Sequence, residues 1–160
     1  KNKKIHFIGV GGVSMSALAR YLKNKGFTVS GSDISIQDDT FLTDLGIKVY
    51  HKHDKENIKN CDVVVYTSAI SEDNEEYKKA KEMGLPLIKR SILIGRIISQ
   101  YKNSIGVSGS HGKTTATAMI SHVLTEARKN PTIFLGGKDK KFDNFIDGKG
   151  DFIHTHSFFS

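Results

Sequence analysis

The chain has 160 residues, of which 38% are hydrophobic and 26% charged, and its formal net charge is +7. These proportions are typical of a globular protein and allow one domain, or a small domain with part of another. Apolar runs such as Ile92-Leu93-Ile94 are too short to span a bilayer, and one cysteine, Cys61, excludes an intramolecular disulfide. We therefore expect a cytoplasmic protein that does not bind a membrane.

The positive charge is scattered along the chain rather than gathered in one stretch. One predicted helix carries three lysines and three glutamates: Lys78, Lys79, Lys81, Glu75, Glu76 and Glu82. This mixture is typical of a solvent-exposed helix face, so we expect no binding to nucleic acid. A basic protein also attracts small polyanions over a distance, which favours phosphate-bearing ligands.

The first predicted elements are a short buried strand, Lys4–Ile8, and a glycine loop. The loop reads Gly9-Val10-Gly11-Gly12-Val13-Ser14-Met15-Ser16, and a helical pattern follows it. Gly9 allows a tight turn and Gly11 lets a diphosphate approach the backbone, at the positive end of the helix. Because Ser14 replaces the third glycine of the dinucleotide fingerprint, the pattern also fits a generic strand–helix turn.

Strands and helices continue to alternate at short spacing. Strands are predicted at residues 28–32, 47–50, 63–66 and 87–89, and helices at residues 39–45, 74–83 and 91–100. Asp33 follows the second strand, where a ribose-binding carboxylate would lie. The alternation predicts a Rossmann-like α/β fold with a mostly parallel sheet and helices on both faces. The turns at residues 9–16, 32–33 and 67–70 are expected at one edge of that sheet.

A second glycine-rich loop follows a polar stretch, residues 100–104, which we predict to be a linker. It reads Gly109-Ser110-His111-Gly112-Lys113-Thr114-Thr115, between an apolar run and a helical pattern. In such a loop a lysine reaches the terminal phosphates of a nucleotide, and the next hydroxyl ligates Mg²⁺. Val107 stands where the usual pattern has its first glycine, so the loop is shortened. We expect an ATP site here, in a second domain.

The order of these motifs resembles the Mur ligases. The resemblance spans essentially residues 4–137 and rests on residues 6–16, Ser30-Gly31-Ser32-Asp33, Ser68-Ala69-Ile70 with Asn74, Arg90, residues 109–115 and Pro131-Thr132. It implies a Rossmann-like domain at residues 1–100 that binds UDP-N-acetylmuramate. It also implies the beginning of a P-loop ATPase α/β domain at residues 101–160, which binds ATP and Mg²⁺. The C-terminal domain that admits the amino acid is expected to be absent from these residues.

The resemblance also assigns roles to individual residues. Those expected to bind the UDP-sugar are Gly9, Gly11, Gly12, Val13, Ser14, Met15, Ser16, Asp33, Ser68, Ala69, Ile70 and Arg90. Those expected to bind ATP are Gly109, Ser110, His111, Gly112, Lys113, Thr114 and Thr115. Among them, Lys113 is the expected catalytic residue and Thr114 the expected magnesium ligand.

The implied reaction belongs to peptidoglycan synthesis. ATP phosphorylates the lactyl carboxylate of UDP-N-acetylmuramate, and the amine of L-alanine attacks the resulting acyl phosphate. The chain departs from the family at its end, where residues 151–160 contain His154 and His156 but no glutamate. The family has acidic residues for magnesium and catalysis there, so we expect these 160 residues to bind the UDP-sugar without catalysing ligation by themselves.

Three other functions stay open. One is a ligase that joins a whole peptide to the same UDP-sugar, and another is a nucleotide-binding module without catalysis. The third, a nicotinamide-dependent dehydrogenase, is disfavoured by the missing third glycine and by the second phosphate loop. A metal site at His154 and His156 is also disfavoured, because the pattern offers no third ligand.

Overall fold

The computed structural model describes residues 2–109, 111–139 and 143–156. The chain divides into two units, Lys1–Leu93 and Ile94–Ser160, and the division falls within the helix Arg90–Ile98. The domain boundary predicted at residue 100 stays a prediction. Each unit is described by itself.

The first unit is a five-stranded parallel sheet with helices between its strands. The strands are β1 Lys4–Ile8, β2 Thr28–Ser32, β3 Lys48–Tyr50, β4 Val63–Tyr66 and β5 Leu87–Lys89, in the order β3-β2-β1-β4-β5. The helices are α1 Val13–Asn24, α2 Thr40–Thr43, α3 Glu75–Glu82 and the beginning of α4 Arg90–Ile98, with a 3₁₀ turn at Lys55–Ile58. The Rossmann-like α/β fold expected from the sequence is confirmed.

The strand order determines where a ligand can enter. The chain adds β2 and β3 on one side of β1 and then returns to add β4 and β5 on the other. The carboxyl ends of β1 and β4 therefore flank the point at which the order reverses, the usual ligand crevice of such sheets. The loops after β1, β2, β4 and β5 all leave from this edge, because all five strands are parallel.

The buried side chains of β1 and α1 explain why α1 packs against the sheet. Phe7 and Ile8 of β1 are fully buried, and Met15, Leu18 and Leu22 recur at helical spacing on the covered face of α1. The helix ends at Asn24 and is followed by Gly26, whose φ of +90° suits a glycine stop.

The second unit contains a four-stranded sheet and one long helix. The strands are β6 Asn103–Val107, β7 Thr132–Asp139, β8 Asp143–Ile146 and β9 Phe152–His156, in the order β6-β9-β7-β8, and the helix is α5 Lys113–Glu126. β9 pairs in parallel with β6 and β7, whereas β8 is antiparallel to β7. The buried core of this sheet includes Ile133, Phe134 and Ile153.

The predicted linker at residues 100–104 is wrong in its second half. Asn103 and Ser104 belong to β6, where they pair with Phe152 and Ile153 of β9. Their polar side chains favour a loop locally, but the backbone hydrogen bonds to a strand far along the chain decide the conformation. Within the described ranges of the chain, no helix is long and apolar enough to cross a membrane.

Candidate functional site

The glycine loop after β1 is held by the end of β2. The amides of Gly9 and Val10 both donate to the Ser32 carbonyl, at 2.8 and 3.0 Å. The amide of Gly11 donates to Asp33 Oδ2 at 2.8 Å. These three N–H groups thus have acceptors within the protein, so an anion at this edge would be bound by other groups, such as the amides in the first turn of α1.

Asp33 clamps the loop. Its Oδ1 accepts hydrogen bonds from the amides of Ser35 and Ile36 and from the Ser35 hydroxyl, while Oδ2 accepts from Gly11. Burial raises the pKa of the Asp33 carboxyl, but these hydrogen bonds outweigh burial and hold it below its ordinary value. The carboxylate therefore stays ionised and accepts hydrogen bonds from backbone amides of the protein itself.

The reason for a glycine at position 11 differs from the one inferred from the sequence. A Cβ on Gly11 would lie 2.8 Å from Asp33 Oδ2 and 3.1 Å from Ile36 Cβ. The space beside its Cα is thus taken by the Asp33 carboxylate, in addition to any ligand that approaches. A bulky residue at Gly11 would therefore displace the Asp33 carboxylate as well as obstruct a ligand.

The N-terminus of α1 is a positively charged corner. Gly12 precedes the helix without a side-chain cap, and the first turn holds no acidic residue. Arg90, at the start of α4, donates from Nη1 to the Ser14 hydroxyl at 2.6 Å. A guanidinium beside the positive end of a helix favours an anion at that place. The serine that replaces the third glycine of the fingerprint therefore has a partner.

The other predicted UDP-sugar residues differ in their exposure. Ser68 and Ala69 are exposed in the turn after β4, and the Ile70 side chain lies beside Gly9. Val13 is 40% exposed at the start of α1. Met15 and Ser16 point into the core, with 1% exposure each, so only their backbone is available to a ligand.

A buried polar cluster lies beneath this edge and was not predicted. Glu76, at the start of α3, is fully buried, although its helix was interpreted as a solvent-exposed face. It accepts hydrogen bonds from Ser32 Oγ at 2.5 Å and Asn57 Nδ2 at 2.7 Å. His6 Nε2 and His53 Nδ1 lie 3.2 and 2.9 Å from its oxygens. The sequence signal for this burial is the apolar residue Ala80, four positions after Glu76 and thus on the same face of the helix, and the structure buries both.

The environment of Glu76 favours its charged form. Burial raises the pKa of the carboxyl, but the hydrogen bonds from His6 and Ser32 and the nearby His6 ring outweigh burial, so the pKa is lowered. By contrast, burial raises the pKa of the Cys61 thiol to about 11, so the protonated form of this thiol is favoured at neutral pH.

The second glycine loop lies between β6 and α5, as the sequence predicts. Gly112 adopts a left-handed conformation, with φ of +74°, directly before α5. Lys113 Nζ donates to the Gly109 carbonyl across the loop. His111, Thr114 and Thr115 are exposed, and the first turn of α5 has no acidic residue. Ser110 lies outside the described residues.

His154 does not offer a metal ligand. Its Nδ1 lies 3.0 Å from the Ile105 carbonyl, and its Nε2 lies 3.1 Å from the Thr117 carbonyl. Both ring nitrogens thus face backbone acceptors, and the side chain is fully buried. Across the described parts of the chain, no group of three or more His, Cys, Asp or Glu residues could hold a metal ion.

The fold and these motifs agree with a comparison against protein-family models. The model described as "Mur ligase family, catalytic domain" matches residues 4–102. The chain belongs to the Mur ligase family. Its sequence resemblance to that family is thereby confirmed.

Curated relatives within the Mur ligases are named UDP-N-acetylmuramate–L-alanine ligase. The protein of that name from Acetivibrio thermocellus is 52% identical over 139 residues, covering 86% of this chain and 30% of the relative. The one from Clostridium botulinum strain Hall is 47% identical over 159 residues, covering 98% of this chain and 35% of the relative. The chain therefore spans about a third of the length of the curated relatives it matches.

Solved Mur ligase structures share the fold. UDP-N-acetylmuramate–alanine ligase from Thermotoga maritima superposes with a TM-score of 0.89 at 36% identity, covering 95% of this chain and 36% of that one. UDP-N-acetylmuramate:L-alanyl-γ-D-glutamyl-meso-diaminopimelate ligase from Neisseria meningitides also gives 0.89, at 28% identity, covering all of this chain and 56% of that one.

Proposed function

We propose that the chain is the UDP-sugar-binding part of a UDP-N-acetylmuramate–L-alanine ligase, together with the beginning of its ATP-binding domain. The names of the curated relatives support the substrate, and the observation that carries the proposal is the positive corner at α1. There, Arg90 and the N-terminus of an uncapped helix meet at the ligand edge of the sheet. A UDP-sugar presents a diphosphate to such a corner.

The proposed binding mode divides the site residues by what they can do. The backbone of α1's first turn and the Arg90 guanidinium bind the diphosphate. Asp33 and Ser32 hold the loop rather than the ligand's charge, because their oxygens already accept the amides of the glycine loop. Ser68, Ala69 and Ile70 line the neighbouring side of the crevice.

The second glycine loop is proposed to hold the phosphates of ATP. The arrangement fits an anion, because Lys113 is placed across the loop and no acidic side chain lies in the first turn of α5. On binding, Lys113 would exchange the Gly109 carbonyl for the phosphates, and Thr114 would supply one oxygen ligand to a phosphate-bound Mg²⁺. Bound Mg²⁺ would neutralise charge on the phosphates, and ATP would activate the substrate carboxylate as an acyl phosphate for attack by L-alanine.

Binding of UDP-N-acetylmuramate to this chain, measured by calorimetry, tests the proposal. Gly12→Glu tests the anion site directly. A Cβ at Gly12 has no neighbour closer than 3.6 Å, so the fold accommodates a side chain there, and the added carboxylate would occupy the positively charged corner. We expect Gly12→Glu and Arg90→Ala to lower the affinity at least about tenfold. Lys89→Ala, at the exposed neighbouring position, is the control. Unchanged affinity in both variants would contradict the assignment.

A ligase that joins a peptide to the same UDP-sugar is the second candidate. The Neisseria meningitides enzyme, whose name gives a peptide as the group joined to UDP-N-acetylmuramate, superposes with the same TM-score of 0.89 as the Thermotoga maritima alanine ligase. Its sequence identity is lower, at 28% against 36%. The two enzymes share the UDP-sugar and differ in the amine they use. The two functions are separated by measuring phosphate release by the full-length protein with L-alanine in one assay and with L-alanyl-γ-D-glutamyl-meso-diaminopimelate in another.

We also propose that these 160 residues do not catalyse ligation by themselves. Thr114 provides at most one magnesium ligand, and a magnesium–phosphate site normally adds one or two carboxylates. Phosphate release in the presence of ATP, Mg²⁺, UDP-N-acetylmuramate and L-alanine measures this directly. Alanine-dependent release well above a control without protein would overturn the proposal.

A further inference from the structure

The buried cluster around Glu76 gathers four separate segments of the first unit. His6 comes from β1, Ser32 from the end of β2, and His53 and Asn57 from the chain that follows β3. Glu76 itself lies in the first turn of α3 and is fully buried. A buried carboxylate with this many partners restricts its neighbours to one arrangement, because breaking any of these bonds leaves a polar group unsatisfied in the interior.

One of those partners also holds the glycine loop. The Ser32 hydroxyl donates to Glu76 Oε2, and the carbonyl of the same residue accepts the amides of Gly9 and Val10. The next residue, Asp33, accepts the amide of Gly11. The position of the loop thus depends on the end of β2. Ser32 is paired through its backbone with β1 and β3, and its side chain is held in addition by Glu76.

We propose that Glu76 is a positioning residue for the UDP-sugar site and acts through Ser32 to hold the glycine loop and the N-terminus of α1. Glu76 does not touch the ligand. It contributes by keeping the Ser32 carbonyl under the Gly9 and Val10 amides, so that the first turn of α1 is oriented before the diphosphate arrives. The inference rests on the proposed function for its consequence in binding, but the coupling to the loop can be measured without any ligand.

Amide hydrogen exchange of Gly9 and Val10 in this chain provides that ligand-free measurement. We expect Ser32→Ala and Glu76→Gln each to speed exchange of these two amides at least about tenfold. Ser30→Ala is the control on the same strand. It removes a hydroxyl that lies 2.9 Å from His6 Nδ1 and so perturbs the cluster through His6, but it leaves the hydrogen bond between Ser32 and Glu76 in place. We expect Ser30→Ala to leave the two amides unchanged. Parent-like exchange in both test variants would overturn the inference.

A double-variant cycle separates positioning from a general loss of stability. If Glu76 acts through Ser32, then adding Glu76→Gln to Ser32→Ala should change loop exchange and UDP-N-acetylmuramate affinity no further than Ser32→Ala alone. Fully additive effects on both quantities would show two independent structural contributions and would overturn the proposed route.

The same samples distinguish the inference from the proposed function. If the parent binds the UDP-sugar, both test variants should bind it about tenfold more weakly and Ser30→Ala should bind it normally. If the parent does not bind the sugar, the proposed function fails. The exchange rates of Gly9 and Val10 still decide whether Glu76 positions the loop.

Discussion

At the scale of single residues, the glycine loop and β2 fit together because two glycines make room for neighbouring side chains. A Cβ on Gly31 would lie 2.4 Å from Val10 Cβ, so the Val10 side chain fills the place of a side chain on β2. Gly11 leaves the corresponding room for the Asp33 carboxylate. These glycines are needed for close packing between the loop and the strand, in addition to any approach of a ligand.

Gly31→Ala should therefore destabilise the first unit. The added methyl has backbone-anchored neighbours that cannot move aside easily, and we expect a loss of about 1–3 kcal/mol in the free energy of unfolding. Urea unfolding followed by circular dichroism measures it. Gly12→Ala is the control, because φ at Gly12 is −61° and a Cβ there meets nothing closer than 3.6 Å. Equal stability of the two variants would contradict the packing argument.

Lys113→Ala in the proposed full-length ligase should reduce turnover by about a hundredfold or more, because the amine is expected to neutralise charge that develops on the transferring phosphoryl group. The Michaelis constant for ATP should change less than turnover. Lys129→Ala, an exposed lysine beyond the other end of α5, is the control. Steady-state kinetics check both. Turnover within about threefold of the parent would remove Lys113 from the reacting phosphate.

At the scale of elements, α3 shows how a helix terminus contributes to the site. The Asn74 side chain accepts the amides of Glu76 and Tyr77, which caps the helix. Acidic residues occupy the first turn and lysines the last, so both ends complement the helix dipole. The cap also fixes the backbone of Glu76, whose side chain holds Ser32.

Asn74→Ala should lower the free energy of unfolding by about 1 kcal/mol, because two helix amides lose their acceptor. Asn74→Asp keeps an acceptor oxygen and should be within about 0.5 kcal/mol of the parent. Thermal or urea unfolding of both variants makes the comparison. If the aspartate variant were as unstable as the alanine variant, the cap would not explain the loss.

At the scale of the whole molecule, the chain has a net charge of +7 and buries the carboxylates of Glu76 and Asp33. Glu76 and Asp33 both have a pKa held below the ordinary value by hydrogen bonds that outweigh burial. A carboxyl with a lowered pKa in the folded state stabilises the fold at neutral pH. That contribution is lost as the pH falls through the folded-state pKa, below the ordinary value near 4.5 for a glutamate.

Glu76→Gln should therefore flatten the acid side of the stability profile. We expect the parent to lose stability as the pH falls below about 4.5, and the variant to lose less over the same interval, from a lower starting stability at pH 7. His6 and His53 face the same carboxylate and stay in both proteins. Urea midpoints between about pH 3 and pH 7 measure the profiles. Glu75→Gln, at the exposed neighbour, should behave like the parent; identical slopes in all three proteins would contradict the assignment.

Much of the fold could be predicted from the sequence, because it depends on local patterns. The buried strand Lys4–Ile8, the glycine stop at Gly26 and the cap at Asn74 each follow from the properties of neighbouring residues. The order of strands, glycine turns and helices is enough to indicate the Mur ligase family. The two glycine loops are likewise recognisable, because each places glycines directly before a helix.

Only the tertiary structure decided which polar residues meet. Arg90 and Ser14 are 76 positions apart in the chain, and Ser32 and Glu76 are 44 apart, so no local pattern pairs them. For the same reason Glu76 resembles a surface glutamate in sequence yet is buried, and Asn103 resembles a linker yet belongs to a strand. The sequence by itself determined the strands and helices of the first unit and the family, because these depend on residue types at short spacing. The partners of each buried polar group were determined by the packing of strands that are neighbours in space and distant along the chain.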